Sequence, residues 1–332
     1  MFQNSSNIRS IYVGHEAKTE IIRDRLDAQY PIENGIVSDW DAMEALLHHV
    51  FDVELKSDSE KHDVLLVEPP HNPKKNREKM AQLMFETFNV GGMYLGSSAV
   101  LSLYSIRRMS GLVLSSGEAT THCVPVYDGA ELPHSSLQFD LAGKEITYFL
   151  GMLLEERGYT FPSVMDKDTH TREMKEKFTY VAEDFAEEMA SPIREEKYKL
   201  PDKTVVKLGK ERFKCTEALF QPYLAGKETV GIHKYVYQSI MKCDADLQDE
   251  MYGNILLAGG STLFPYFPCR LQREVTLLAP ANTTVNVIAR PDRQDAAWIG
   301  GSILSEMSTF EHMLILREEY DEYGPSIVRR KC

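Results

Sequence analysis

Cysteine, positive charge and uninterrupted apolar sequence are all scarce in this 332-residue chain. The five cysteines, Cys123, Cys215, Cys243, Cys269 and Cys332, are an odd, scattered set without a C-x-x-C pair, which argues against a disulfide framework and suits a reducing compartment. Two N-x-S/T sequons, at Asn4 and Asn282, then read as chance matches. Lysine and arginine number 37 against 50 acidic residues, a formal charge of −13. Coating phosphates takes a surplus of cations, so the balance argues against a general nucleic-acid binder. The clusters Lys74-Lys75 and Arg329-Arg330-Lys331 are too short to reverse it. No apolar run approaches the roughly 20 residues of a membrane helix. The opening Met1-Phe2-Gln3-Asn4-Ser5-Ser6 lacks the basic-then-apolar grammar of a secretory signal. The expectation is a soluble, cytoplasmic protein with no nucleic-acid and no membrane partner.

Several reaction signatures are missing too. There is no H-E-x-x-H, no Walker loop, no G-x-S-x-G and no Cys/His cluster at metal spacing, so no metal site is expected from side chains alone. What is present is an ordinary globular composition, 43 % apolar and 26 % charged, with length for about two domains. Helical and strand patterns alternate. Ser38 and Asp39 precede a helical stripe of Trp40, Met43, Leu47, Val50 and Phe51. Val64–Val67 reads as a strand ended by Pro69-Pro70. Asn72 and Pro73 open a helix with Met80, Leu83, Met84 and Phe88 on one face. Further on come a helix over 99–105, strands at 111–114 and 121–126, and a helix over 143–157. One long helix is predicted over 171–189 from Met174, Phe178, Val181, Phe185 and Met189. A hairpin follows around Pro201-Asp202-Lys203. Strands at 254–258 and 284–289, with helices near 270–278 and from Gln294, complete an α/β pattern.

Two segments have the grammar of a phosphate cradle. Leu112 to His122 reads as strand, tight turn, strand, and Gly117 would let main-chain N–H groups approach an anion. Ile255-Leu256-Leu257-Ala258-Gly259-Gly260-Ser261-Thr262 is a buried strand ending in paired glycines, where open α/β sheets bind ligands. Either could equally be plain structure. His122 could orient a water or simply support a strand end, and the Lys175-Glu176-Lys177 run fits an ordinary solvated helix face.

Longer strings are more specific. Tyr12-Val13-Gly14-His15-Glu16-Ala17, Tyr30-Pro31-Ile32-Glu33-Asn34-Gly35-Ile36-Val37, Asn76-Arg77-Glu78-Lys79-Met80 and Met84-Phe85-Glu86-Thr87-Phe88-Asn89 resemble actin. So do Glu217-Ala218-Leu219-Phe220-Gln221-Pro222, Trp298-Ile299-Gly300-Gly301-Ser302 and Tyr320 to Val328. The resemblance runs in order from residue 12 to the end. It implies the actin-like, duplicated ribonuclease H-like α/β ATPase fold, two lobes of two subdomains each, closing on ATP or ADP with Mg or Ca. On that template residues 1–30 would be a remnant of subdomain 2, 31–105 and 296–332 subdomain 1, 106–141 and 229–295 subdomain 3, and 142–228 subdomain 4. The family's first phosphate hairpin would precede the sequence, so an amino-terminally truncated member is expected.

The same resemblance assigns sites. Ser116, Gly117, Glu118, Lys175, Glu176, Gly259, Gly260, Ser261, Phe264 and Gln294 fall on the nucleotide positions, and His122 beside the hydrolytic water. Ser115 replaces a cation-holding Asp, Ala119 a glycine, and Ser98 the water-positioning Gln. Tyr104, Leu304, Met307 and Met313 fall on the partner groove, with Arg107 and Met109 altered at its rim; Phe220, Gln221, Pro222, Tyr223 and Leu224 fall on the plug loop. Each lost charge-assisted contact is worth about 1.5–3 kcal/mol. The expectation is a divergent actin-like cytoskeletal protein with a scaffold role among actin or actin-like subunits and actin-binding proteins, a pseudo-ATPase binding nucleotide weakly or not at all. The alternative is a polymerising actin that binds and hydrolyses ATP, its amino terminus missing from this sequence. A sugar-kinase-like enzyme would share the fold but lacks the actin strings.

Overall fold

The computed structural model describes residues 12–14, 17, 29–161 and 163–332. Most of the expected subdomain 2 remnant, 1–30, therefore lies outside the described residues. The chain forms two compact units, one of Met1–Leu66, Asn72–Leu95 and Glu311–Cys332, the other of Val67–His71 and Gly96–Phe310.

In the smaller unit, strands β1 (Ile32–Glu33) and β2 (Ile36–Val37) form a short hairpin. Helix α1 (Trp40–His49) starts where the Asp39 carboxylate accepts the Ala42 N–H at 3.0 Å, the capping role its sequence position predicts. A three-stranded sheet in the order β13–β4–β3 joins β3 (Asp63–Glu68), β4 (Gly92–Ser97) and β13 (Ile315–Leu316). Helix α2 (Lys74–Gln82) is preceded by Pro73 as its cap residue, one position later than the Asn72 cap expected from sequence. The core is Leu47, Met84, Phe85, Phe88, Met93, Ile315 and neighbours, with Phe85 stacked on Tyr320 at 4.5 Å.

The larger unit is built on a six-stranded sheet, β12–β11–β5–β6–β7, with β8 (Leu137–Phe139) also on β6. Strands β5 (Gly111–Ser116) and β11 (Ile255–Ala258) run parallel, while β6 (Thr121–Tyr127) is antiparallel to β5. β7 (Ala130–Glu131) and β12 (Val287–Ile288) end the two sides. Side chains alternate across a strand, and here they feed two cores. Leu112, Leu114, Ile255 and Leu257 enter one with Ile146, Leu150 and Met174, whereas Val113, Leu256 and Ala258 enter the other with Ala99, Leu103 and Ala296. The result is a sheet between helical layers. Helices α3 (Ser98–Tyr104) and α11 (Ala296–Ser305) belong to the second layer, which is why 96–105 and 296–310 pack with this unit. They approach so closely that a Cβ on Gly300 would lie 1.6 Å from the Leu101 carbonyl oxygen.

The other layer contains α4 (Gly143–Glu156), α5 (Val164–Phe178) and α6 (Phe185–Ala190), then the β9 (Glu196–Lys199) and β10 (Val205–Leu208) hairpin. After it come α7 (Glu211–Glu217), α8 (Ile232–Met241), α9 (Ala245–Gly253) and α10 (Phe267–Leu278). The single helix expected over 171–189 is two. Thr179 is extended, Tyr180 N–H donates to the Arg212 carbonyl and Val181 N–H to that of Pro265, and Asp184 then caps a new helix. The apolar spacing runs across this break, but Met174 and Val181 enter the main core with Phe178 packed against it, whereas Phe185 packs on Phe213 at 5.8 Å.

Candidate functional site

Ser115 of β5 pairs with Ala258 of β11 on one side and His122 of β6 on the other. The turns that follow β5 and β11 are therefore neighbours at one end of the sheet. Gly259, with φ 84°, shapes the second turn; a Cβ there would lie 2.3 Å from the Ser116 carbonyl oxygen. No other residue fits without moving backbone. Gly117 and Gly260 differ in kind: a Cβ on either meets nothing nearer than 3.9 Å, so their main chain is open to an approaching ligand.

The hairpin tip is held from three directions. Its Gly117 carbonyl accepts from Gly143 N–H at 3.0 Å and from Ser261 Oγ at 2.7 Å. The Glu118 carbonyl accepts from Lys144 N–H at 2.7 Å. The Glu118 carboxylate pairs with Arg172 at 3.1 Å and Lys175 at 3.5 Å, both on α5. Lys175 is buried, and its ammonium also donates to the Gly143 carbonyl at 3.0 Å. Burial lowers its pKa, and the Glu118 charge opposes that. Ser116 is committed to the fold: its hydroxyl meets Thr121 Oγ1 at 2.8 Å, which donates to the Leu141 carbonyl at 2.7 Å.

His122 is 7 % exposed, its Nε2 lies 3.0 Å from Thr120 Oγ1, and its buried Nδ1 has no partner among the described residues. Burial above all, then the nearby His71 charge, pushes its pKa down to about 4, against a smaller pull from Asp140. The imidazole is neutral at pH 7 and offers no positive charge to a phosphate.

The remaining expected residues are spread more widely. Gln294 is exposed and stands 3.9 Å from the Cβ position of Gly260. Glu176 is exposed on α5, and Phe264 is buried in the main hydrophobic core. Ser98 opens α3, where its carbonyl accepts from Ser102 Oγ at 2.6 Å. In the groove set, Leu304 is buried, Tyr104 half-buried and Met307 50 % exposed, while Met313 belongs to the smaller unit. In the plug loop, Phe220 and Pro222 are buried and Tyr223 is 68 % exposed on a turn ended by Gly226 at φ 68°. Sequence reading missed Gly143 and Arg172, which stand outside the two glycine segments, and Thr120, which stands within the first but was assigned no role. Arg293 was missed as well: it lies buried behind the glycine turn and donates to Thr262 Oγ1, the Thr262 carbonyl and the Arg290 carbonyl.

Adjacent strand ends, two glycine turns and a buried lysine define a nucleotide-binding type of α/β fold, with the crevice at the carboxyl ends of the strands. A family model of actin matches residues 2–332, and the chain belongs to the actin family. Members of that family generally bind ATP or ADP with a divalent cation and interact with actin-like subunits or binding proteins. No helix among the described residues is long and apolar enough to cross a membrane.

The residues fit the two parts of that ligand unequally. The main chain at Gly117 and Gly260 is open, whereas the Lys175 ammonium is already taken by the Gly143 carbonyl and Glu118. A hydrated divalent cation prefers carboxylate oxygen. The strand end offers it the neutral hydroxyl of Ser115, and the one carboxylate on the tip, Glu118, is already engaged by Arg172 and Lys175. The other carboxylate near this strand end, Asp140, is exposed and close enough to His122 to pull its pKa upward.

Proposed function

We propose that the chain is a structural actin-family subunit, assembling with actin or actin-like partners in the cytoskeleton and turning over ATP slowly or not at all. The observation that carries this reading is Ser115 facing His122 at the end of β5. A hydroxyl stands where the family's cation-holding carboxylate would be. Losing one charge-assisted contact of about 1.5–3 kcal/mol weakens the held group by roughly 10- to 150-fold.

The competing reading, a polymerising actin that hydrolyses ATP, draws support from the open main chain at Gly117 and Gly260 and from buried Lys175. Steady-state phosphate release separates the two. The scaffold reading expects release at background in Mg-ATP and co-sedimentation with actin filaments. Release that rises with enzyme concentration and disappears in His122→Ala would overturn it.

A further inference from the structure

A second charged network lies away from the hairpin, beneath the turn at Pro222–Ala225. Glu217, at the end of α7 and fully buried, holds Arg270 of α10 through two bonds of 2.9 and 3.1 Å. Arg270 Nε donates to Glu274 at 2.7 Å, and a further N–H goes to the Ala182 carbonyl at 2.7 Å. Two carboxylates thus share one guanidinium. Against this network lies a cavity of about 350 Å³ lined by Phe220, Tyr223, His233, Arg270 and Glu274 among others.

Its lining has unspent acceptors. His233 is 9 % exposed, stacks on Phe220 at 5.9 Å, and has no hydrogen-bond partner on either ring nitrogen among the described residues. Burial lowers its pKa, so the imidazole is neutral and one nitrogen is free to accept. Only one Glu274 oxygen is taken by Arg270. Tyr223 stands at the rim, its hydroxyl donating to Gln221 Oε1 at 2.6 Å and its ring exposed.

We propose that this cavity binds a primary alkylammonium group, from a free polyamine or from a lysine side chain. Glu274 takes the charge, His233 accepts one N–H, and the Tyr223 ring packs against the alkyl stem and the cation. An anion would meet Glu274 with Arg270 already spent on two carboxylates. A purely apolar guest would leave His233 and Glu274 desolvated and unpaired. Lys234, exposed on the rim, opposes the guest weakly through water.

Titration calorimetry of the full chain with n-butylammonium, putrescine and Nα-acetyl-lysine-N-methylamide tests this, with n-butanol as the uncharged control. The amines are expected to bind and butanol not. Glu274→Gln should weaken binding by about tenfold or more, as for a lost charge-assisted bond. Tyr223→Ala, at an exposed position, should weaken it several-fold with the melting temperature unchanged, and carries the test alone if Glu274→Gln fails to fold. Lys234→Ala should strengthen it. Putrescine binding more tightly than the lysine derivative assigns a free polyamine, and the reverse order a partner's side chain. No heat with any amine, or amine binding that Tyr223→Ala leaves unchanged, overturns the proposal.

Discussion

Gly259→Ala puts the architecture of the site under direct test. Gly259 has φ 84° and ψ 153°, a region that is essentially glycine-only and costs other residues about 1–3 kcal/mol. The added Cβ would also lie 2.3 Å from the Ser116 carbonyl oxygen and 2.7 Å from its carbon, backbone atoms that cannot swing aside. Overpacking of that kind costs about another 1–3 kcal/mol, less a few tenths regained from the stiffer unfolded chain. Gly158→Ala is the matched control. Gly158 has φ 88°, follows α4 and has nothing within 4 Å of its Cβ position, so only ordinary left-handed strain of about 1 kcal/mol remains. For a unit of this size each kcal/mol shifts the melting temperature by about 2–4 °C. Gly259→Ala should therefore lower it by roughly 3–20 °C and, in every case, by more than Gly158→Ala, whose shift should not exceed about 4 °C, in scanning calorimetry of both variants beside the parent. Equal shifts would refute the claim that the β5 and β11 turns are locked together by backbone contact.

Glu217→Ala leaves the buried Arg270 with Glu274 and the Ala182 carbonyl but without its buried carboxylate, and should cost about 3–5 kcal/mol in urea unfolding, whereas the double change Glu217→Leu with Arg270→Leu should cost well under half of that. Burial holds the His122 pKa at about 4 in the fold against 6.5 when free, so the unfolded chain takes up the proton first as acid is added. Stability should therefore fall between pH 6.5 and about 4, by about 3 kcal/mol from this group, and a His122→Gln variant should show a flatter profile over that window. Ser115→Asp restores a carboxylate at the strand end and should tighten Mg-ATP binding in calorimetric titration by about tenfold or more. No change would mean that the metal half of the site is lost for another reason.

Much of the fold was legible because it is local. Asp39 before an apolar stripe marks a helix start, the alternating Leu112-Val113-Leu114 marks a strand with two buried faces, and Gly259-Gly260 marks a strand end. Where the reading failed, long-range contacts decided the outcome. The break between α5 and α6 depends on Arg212 and Pro265 receiving the N–H groups of Tyr180 and Val181, and neither is near in sequence. The strand expected over 284–289 shortens to Val287–Ile288, the two residues that pair in register with Ile255 and Leu256 of β11. At the candidate site, motif positions singled out Gly117, Lys175 and Gly259, and the fold places the Gly117 and Gly259 turns side by side. The motif strings gave no sign that the Glu118 carboxylate is tied to Arg172, that Thr120 is the partner of His122, or that Phe264 lies in the core. Such facts arise from which strands become neighbours, not from the residues beside each position.

Thermal unfolding of the purified chain, with and without millimolar Mg-ATP, bears most directly on the proposed loss of a working nucleotide site. Occupancy at a hundred times the dissociation constant would add about 2.7 kcal/mol, or roughly 5–10 °C. The scaffold account predicts a shift of less than about a degree, and a rise of several degrees that requires both magnesium and the γ-phosphate would contradict it.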